Sequence, residues 1–382
     1  MSIFRRPRRR PADTTAAEPD PPREPGDEPA PPAAPEQPGL SLFRRPRRRP
    51  AGTTAAEPDA PRAPGDEPTP PAPPEAPADE LTEEQAAAEA ALARLEDRIG
   101  AFTSYTLAAD FLELREIYAG TFERMKEEDW ARRSERRAEG WTRRQALAHV
   151  GAVATVYNQA IEAGLEGRPV SVPGLERRAD LKAANLAALD ERAELPVADL
   201  VDAFLGSLEH AARLAASLEG EGLGRLVNVP FFDTPPTVAE LFGSSLAHAG
   251  IVHGAQLALG RARPIWIFYQ PGMMRRQLTR FMHMFGLAYW PERGGDLHAT
   301  VGFSIEGQGG GSWFVRVGPG GGMGKIGIAR TTDVSFWFAS ADLFCKVFTY
   351  QTPVWRAIAL RQLRVGGNLR LARRLPALFS PT

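Results

Sequence analysis

Six histidines and one cysteine are the side chains of this 382-residue chain best suited to nucleophilic or metal chemistry. His149 and His253 sit inside apolar helical stretches. On their surroundings alone they read as polar residues bordering a core, hydrogen-bonded to each other or to Tyr157. His210, after Glu209 among leucines and alanines, reads as a surface residue. Cys345 lies between Phe344 and Phe348 and reads as inert core; standing alone, it excludes an intrachain disulfide and a cysteine-built zinc finger. Glu127-Glu128 reads as a solvated face, and no stretch places two carboxylates in an apolar pocket, as general acid–base catalysis requires. Gly324-Lys325 closes a glycine-rich run, but a phosphate loop needs glycine where Pro319 stands and Ser or Thr where Ile326 stands. That run, residues 318–324, is expected to be a hairpin turn.

The histidines depend on helices to hold them. Capping boxes, in which a threonine hydroxyl accepts from the first turn and Glu or Gln reaches back, stand at Thr82/Gln85, Thr142/Gln145 and Thr237/Glu240. They predict helices over about 82–98, 142–166 and 237–260, the last two stopped at Gly167 and Gly260. Residues 106–136 and 196–219 also read as helix. Ala146, Val150, Val153, Tyr157 and Ile161 recur every three or four residues, which gives one apolar stripe to a core. Residues 81–262 therefore predict an all-α, antiparallel four-helix bundle with one leading helix and a long crossover through 168–195.

Within that bundle, Trp141-Thr142-Arg143-Arg144-Gln145-Ala146-Leu147-Ala148-His149 resembles the W-x-x-x-x-x-L-x-H signature of DinB-like bundles, which include mycothiol-dependent maleylpyruvate isomerases. Asn185 and the closing stretch Val252–Gly260 fit the same pattern, so the resemblance spans roughly 107–262. It implies a divalent metal held by a histidine on the second helix and two ligands one turn apart on the last, which carries over to His149 and His253. The other ligand position, four residues before His253, is Ala249, and Gln256 stands where the family often has Asp. His248 is five residues before His253, about 140° around an α-helix, so the two are not expected to face one ion. Two protein ligands are fewer than the three a catalytic zinc site keeps. The expectation is therefore a weak site for zinc, no resident cofactor and no catalytic residue, with the isomerase or transferase reading kept as the alternative.

After Arg263-Pro264 the pattern changes. A helix over about 271–287 carries Met273, Met274, Leu278, Phe281, Met282 and Phe285. Alternating segments follow: Ala299, Val301, Phe303 and Ile305; then Trp313, Val315 and Val317; then Ile326 and Ile328; then Val334, Phe336 and Phe338. Helix returns over about 340–360 with Phe344, Phe348 and Trp355, then a short strand Leu363–Val365, then a helix over Asn368–Leu378. Residues 264–382 thus predict an α+β domain, an antiparallel sheet covered by helices on one face. The run Gln362–Phe379, and Asp333–Phe338 followed by Ser340–Phe344, resemble the sterol carrier protein type 2 family; Thr352-Pro353 departs from it, where the family usually has Gly before the proline. The resemblance implies a tunnel for a sterol, fatty acyl chain or similar lipid, lined by Met274, Leu278, Phe281, Met282, Phe285, Val301, Phe303, Trp313, Val315, Phe336, Phe338, Phe344, Phe348, Trp355 and Leu378. Met and Phe are adaptable enough to admit varied apolar guests.

Prolines crowd the start, 22 of the 35 lying in residues 1–80. Residues 2–39 and 41–78 are a tandem repeat, each opening on a basic block: Phe4-Arg5-Arg6 in the first, Phe43-Arg44-Arg45 in the second. So polar and proline-rich a segment predicts a disordered arm. Its duplicated Arg–Phe block predicts docking to an acidic protein scaffold or an anionic membrane surface, with avidity from two copies. The overall charge of −1 gives no reason to expect nucleic acid as a partner. No apolar run follows the arginines to make an export signal, and none approaches the roughly 18 residues of a membrane span, so a cytoplasmic carrier is the expectation. The leading functional reading is sequestration or transfer of a hydrophobic small molecule, and a third reading is an adaptor or cargo protein placed by its arm.

Overall fold

The computed structural model describes residues 99–133, 140–258 and 263–379. The arginine-rich repeats with Phe4, Arg5, Arg6, Phe43, Arg44 and Arg45, the helix expected over 82–98, and Gly260 lie outside the described residues.

Four helices build the bundle of the first part: α1 (Ser104–Phe122), α2 (Arg143–Glu166), α3 (Val197–Ala216) and α4 (Val238–Ala247); the stretch 168–195 expected as a long crossover carries a further helix, Leu181–Glu191, which packs on α2. Helix α3 packs on α1 and α2, and α2 on α4, around Leu107, Phe111, Tyr118, Val150, Phe204 and Phe242, all fully buried. Both capping boxes inside the described residues form. Thr142 Oγ1 accepts from Gln145 N at 3.2 Å and Gln145 Oε1 from Thr142 N at 2.9 Å; Thr237 and Glu240 do the same. Each such cap contributes about 1 kcal/mol. Helix α2 stops at Gly167, whose φ of 70° is the left-handed stop a glycine supplies.

Three boundaries differ from the sequence expectation, each for a local reason. The helix expected over 106–136 ends at Phe122; the chain then folds back so that Trp130, in the short helix Glu127–Ala131, packs its ring 5.4 Å from that of Phe122. The helix expected to reach residue 260 leaves α-geometry at His248. The expected helix over 340–360 is two, α6 (Ala341–Phe348) and α7 (Val354–Ala359), broken at Tyr350, whose φ is 60°, and by Pro353.

The second part opens with α5 (Pro271–Leu287), followed by β1 (Ala299–Ile305), β2 (Gly311–Gly318), β3 (Gly321–Ile326), β4 (Val334–Phe338), then α6, α7, β5 (Leu363–Gly367) and α8 (Leu369–Phe379). The strand order is β3-β2-β1-β4-β5. The sheet is mixed, not antiparallel: β1 and β4 run parallel, Phe303 opposite Phe336, while the other neighbours are antiparallel. Alternation had fixed which side chains share a face, and a face carries no information on strand direction. The direction comes from the segment 327–333, which crosses the sheet before entering β4. Thr332 there comes within 2.8 Å of where a Cβ on Gly302 would be, and Asp333 N donates to Thr300 O at 2.8 Å. Ile328 lies on this crossing and is exposed, rather than in a third strand.

The glycine-rich run is only partly a turn. The hairpin closes between Gly318 and Gly321, and Gly322 and Gly324 are in β3. They are needed because the backbone of α5 lies directly on them: a Cβ at Gly324 would collide with the Met282 carbonyl, and one at Gly322 with that of Gly286. Gly324→Ala is therefore expected to lower unfolding stability by about 1–3 kcal/mol, measured by urea denaturation, since backbone cannot yield as a side-chain tip would.

The two parts are joined through α4 and α5, which pack along each other. Asp110 of α1 is fully buried and accepts from Arg276 through Nε (2.7 Å) and Nη2, and from Arg280 through Nη1 (2.5 Å). Burial pulls the Arg280 guanidinium down to about 10, opposed by Asp110, so it stays charged at neutral pH. Arg178 makes a second joint, donating to Asp233 and to the carbonyls of Ala288 (2.6 Å) and Tyr289 (2.7 Å) just past the end of α5. A cation is favoured at that helix terminus.

Candidate metal centre

Helix α2 carries His149 about two turns beyond its cap, facing the bundle interior, where it is 6% exposed. The partner side chains come from the end of α4, and here the backbone changes register. Residues His248–Val252 form a single π-turn, in which His253 N donates to His248 O at 3.0 Å. In an i→i+5 turn, residues five apart lie one above the other, where α-geometry would have splayed them. His248 and His253 therefore converge, with ring centroids 4.5 Å apart, and both meet His149, at 5.3 and 4.9 Å. One ligand nitrogen from each of the three lies within 4.8 Å of the others.

That register change has a cost, and it can be followed bond by bond. In an α-helix His253 N would bond to Ala249 O; the π-turn sends it to His248 O and leaves the Ala249 carbonyl without it. Tyr118 of α1 supplies the replacement, its hydroxyl donating to Ala249 O at 2.7 Å. Tyr269, from the segment leading into α5, donates to Gly250 O at 3.0 Å. Burial pushes both phenols well above their usual range, so both remain donors across all ordinary pH. Gly250 is required beneath Tyr269, because a Cβ there would strike the hydroxyl. The second part of the chain thus helps hold the turn that builds the histidine cluster. Tyr269→Phe is expected to leave a buried carbonyl unpaired, lowering stability by about 1–3 kcal/mol. It should also weaken metal affinity by about 10–100-fold, as loss of an outer-shell support does. Calorimetric melting and metal titration of the same preparation check both.

The surroundings suit a ligand set. His253 Nδ1 is paired with Gln256 Oε1, both residues buried; an amide oxygen only accepts, so Nδ1 carries the proton and Nε2 keeps its lone pair. Holding one ring nitrogen so that the other can ligate is the usual outer-shell device at metal histidines. Trp141 stacks on His253 at 6.4 Å and 13°, and tilts against His149 at 4.8 Å, covering two of the three rings. Arg143, at the start of α2, donates to Ala258 O at 3.0 Å and fixes the chain beyond the turn. Nitrogens around a tetrahedral zinc stand about 3.3 Å apart, and those of the three histidines lie within 4.8 Å of one another. Three imidazoles with a fourth position open are a donor set of catalytic zinc. The residues fit a divalent metal.

His149 and His253 are thus brought together as the sequence suggested. Tyr157, offered as a hydrogen-bonding partner for them, packs its ring 5.5 Å from Phe231. His248 is the member of the cluster that sequence reasoning set aside, because α-geometry was assumed through it. The legible signal was Gly250 inside a histidine spacing of five and Gly254 just after it, both of which sit where a Cβ would strike neighbouring atoms. His210 pairs with Glu162 at 2.8 Å on a half-exposed surface, and Cys345 is buried with its thiol pushed up by burial.

The side chains expected to line a tunnel form the layer between α5, α6, α8 and the sheet. Met274, Leu278, Phe281, Met282, Val301, Phe303, Trp313, Val315, Phe338, Phe344 and Leu378 are buried, and Phe285, Phe336 and Phe348 are half-buried. The phenylalanines touch one another: Phe285 meets Phe348 edge-on at 5.6 Å, Phe303 stacks on Phe336 at 5.5 Å, and Phe344 meets Phe348 at 4.4 Å. Trp355 does not join them; it is 61% exposed on α7.

Over residues 111–258 the chain matches the family of the mycothiol maleylpyruvate isomerase N-terminal domain. The matched stretch holds His149, His248, His253 and Gln256, and stops before Tyr269. No curated protein matches. Among solved structures, a mycothiol-dependent maleylpyruvate isomerase is similar at 10% identity with a TM-score of 0.44, over 65% of this chain and 90% of that one. A mutant of that enzyme gives the same figures. A stereoselective inverting sec-alkylsulfatase from Pseudomonas sp. is similar at 12% identity and a TM-score of 0.25, over 37% of this chain and 25% of that one. Likeness at these levels carries no functional argument. No helix among the described residues is long and apolar enough to cross a membrane.

Proposed function

We propose that the helical part is the catalytic unit of a metal- and thiol-dependent isomerase or transferase, with His149, His248 and His253 as the ligands of a divalent ion such as zinc. The observation that carries this reading is the π-turn, which brings His248 beside His149 and His253 although the sequence spacing pairs only two of them. His149, His248 and His253 would hold the ion through neutral imidazoles, and its undiminished charge would favour the thiolate form of a thiol bound beside them. The protein's own groups set the rest. Gln256 would fix the tautomer of His253, and Trp141 packs against the rings of His149 and His253. Tyr118 and Tyr269 hold the backbone register on which His248 depends. The family match over residues 111–258 supports mycothiol as the thiol and maleylpyruvate as a first substrate to try. The test is metal analysis of the purified full chain, followed by assay of maleylpyruvate isomerisation with mycothiol and without it. One bound equivalent and thiol-dependent turnover are expected. A chain that holds no zinc at micromolar concentrations would end the reading.

A second reading rests on the phenylalanine layer between α5, α6 and the sheet, whose rings touch one another. As a carrier the second part would part these rings around an acyl chain, gaining roughly 0.8 kcal/mol per methylene buried. Native mass spectrometry of the protein purified from cells tests it, since a guest travels with the chain and is identified after solvent extraction. Protein that arrives without any guest, and takes none from an added fatty acid, removes this reading and leaves the metal reading intact.

A further inference from the structure

The whole chain carries a net charge of −1, yet from Leu343 to Thr382 there is no Asp or Glu against Lys346, Arg356, Arg361, Arg364, Arg370, Arg373 and Arg374. The same stretch exposes apolar side chains to a degree that folding alone does not explain. Trp355 is 61% exposed, Leu360 57%, Ile358 46% and Val354 41%. Scattered exposed hydrophobics are ordinary, but these belong to a single six-residue helix and its cap. At 100° per residue, Val354, Trp355 and Ile358 fall within about 100° of arc, and only Ala357 of α7 is buried. Arg356 and Arg361 flank that face in sequence. Beside it, α7 contacts the edge strand β5, whose Arg364 lies exposed with its guanidinium over Trp337 at 4.4 Å. Past β5, the first turn of α8 exposes Leu369 and Arg370. A groove of about 440 Å³ runs along α7, lined by Lys346, Gln351, Thr352 and Arg356. Its carboxylate, Asp342, is paired with Lys346 at 2.7 Å.

We infer that this edge of the protein docks on an anionic phospholipid bilayer. A tryptophan and aliphatic side chains on one short face, flanked by arginines from a stretch of chain that carries no Asp or Glu, match the interface of such a bilayer. Tryptophan settles at headgroup level, aliphatic tips enter the acyl boundary, and guanidiniums meet phosphates. A buried protein partner would match the apolar face but leaves the excess positive charge unexplained. A nucleic acid would match the charge but not Ile358 and Leu360. The groove beside α7 then lies at headgroup depth, where Arg356 can take a lipid phosphate.

The test uses the full chain in co-sedimentation with vesicles of phosphatidylcholine alone and of phosphatidylcholine mixed with phosphatidylglycerol. The parent should bind the mixed vesicles, bind the neutral ones at least about tenfold more weakly, and release as salt is raised. Two variants probe the two halves of the surface, W355S with I358S, and R356E with R361E; each should lose at least about tenfold in partitioning. All four positions are exposed, so both variants are expected to melt with the parent, which confirms their fold. A third variant, with Arg5, Arg6, Arg44 and Arg45 changed to serine, separates this surface from the basic repeats: binding must still respond to the α7 substitutions in that background. Parent that ignores the mixed vesicles, or α7 variants that bind as tightly as parent, overturns the inference. So does a parent dimer, seen by light scattering, that the α7 substitutions dissolve, because a second copy then covers the face.

Discussion

Replacing His248 with alanine should weaken zinc or cobalt binding by more than about 100-fold while leaving the metal-free protein's melting temperature close to that of the parent. The first half follows from donor count: two histidines remain where a catalytic site keeps three, and Ala249 has nothing to offer in their place. The second half follows from exposure, since His248 is half-buried, whereas His149 and His253 are buried against Trp141. His149→Ala should match the affinity loss and add a loss of stability. Cobalt titration followed in the visible region separates the outcomes. A tetrahedral spectrum in the parent and an octahedral, water-like one in H248A is the expected pair. Undiminished affinity in H248A would mean that the ion, if any, is held without it. The proposal that the π-turn builds the site would then fail.

The largest effect on stability is expected at Asp110. Asp110→Ala should cost about 3–5 kcal/mol, because it strands two guanidiniums, of which that of Arg280 is fully buried. Arg280 would keep its bond to the Ala101 carbonyl at 2.8 Å and nothing to balance its charge. The reverse change at Arg276, which is partly exposed, should cost less, since water reaches the vacated end. Urea denaturation of the three proteins orders them parent, R276A, D110A. A D110A loss below about 1 kcal/mol would show that the buried triad is not what fastens α1 to α5.

Much of the fold was legible because it rests on local rules. The caps at Thr142 and Thr237 close as the threonine–glutamine and threonine–glutamate spacings require. The helix over 271–287 begins at Pro271, where φ is already set for a first turn. Alternation assigned Val301, Phe303, Val315 and Phe338 to one buried face. What failed was every inference that carried a local rule past its reach. Alternation could not reveal that β4 enters parallel to β1, because direction is decided by a loop crossing over Gly302. A continuous apolar pattern over 340–360 could not show that Tyr350 turns left-handed.

The histidine site divides along the same line. By itself the sequence determined that His149 stands inside a capped helix and that His253 lies near the end of another, since caps and apolar periodicity are written within one turn of chain. Only the tertiary structure decided that His248 joins them. A π-turn is a backbone register that costs hydrogen bonds locally, and here the missing partners are the hydroxyls of Tyr118 and Tyr269, 131 and 19 residues away in the chain. No reading confined to neighbours along the sequence counts donors that arrive from elsewhere in the fold.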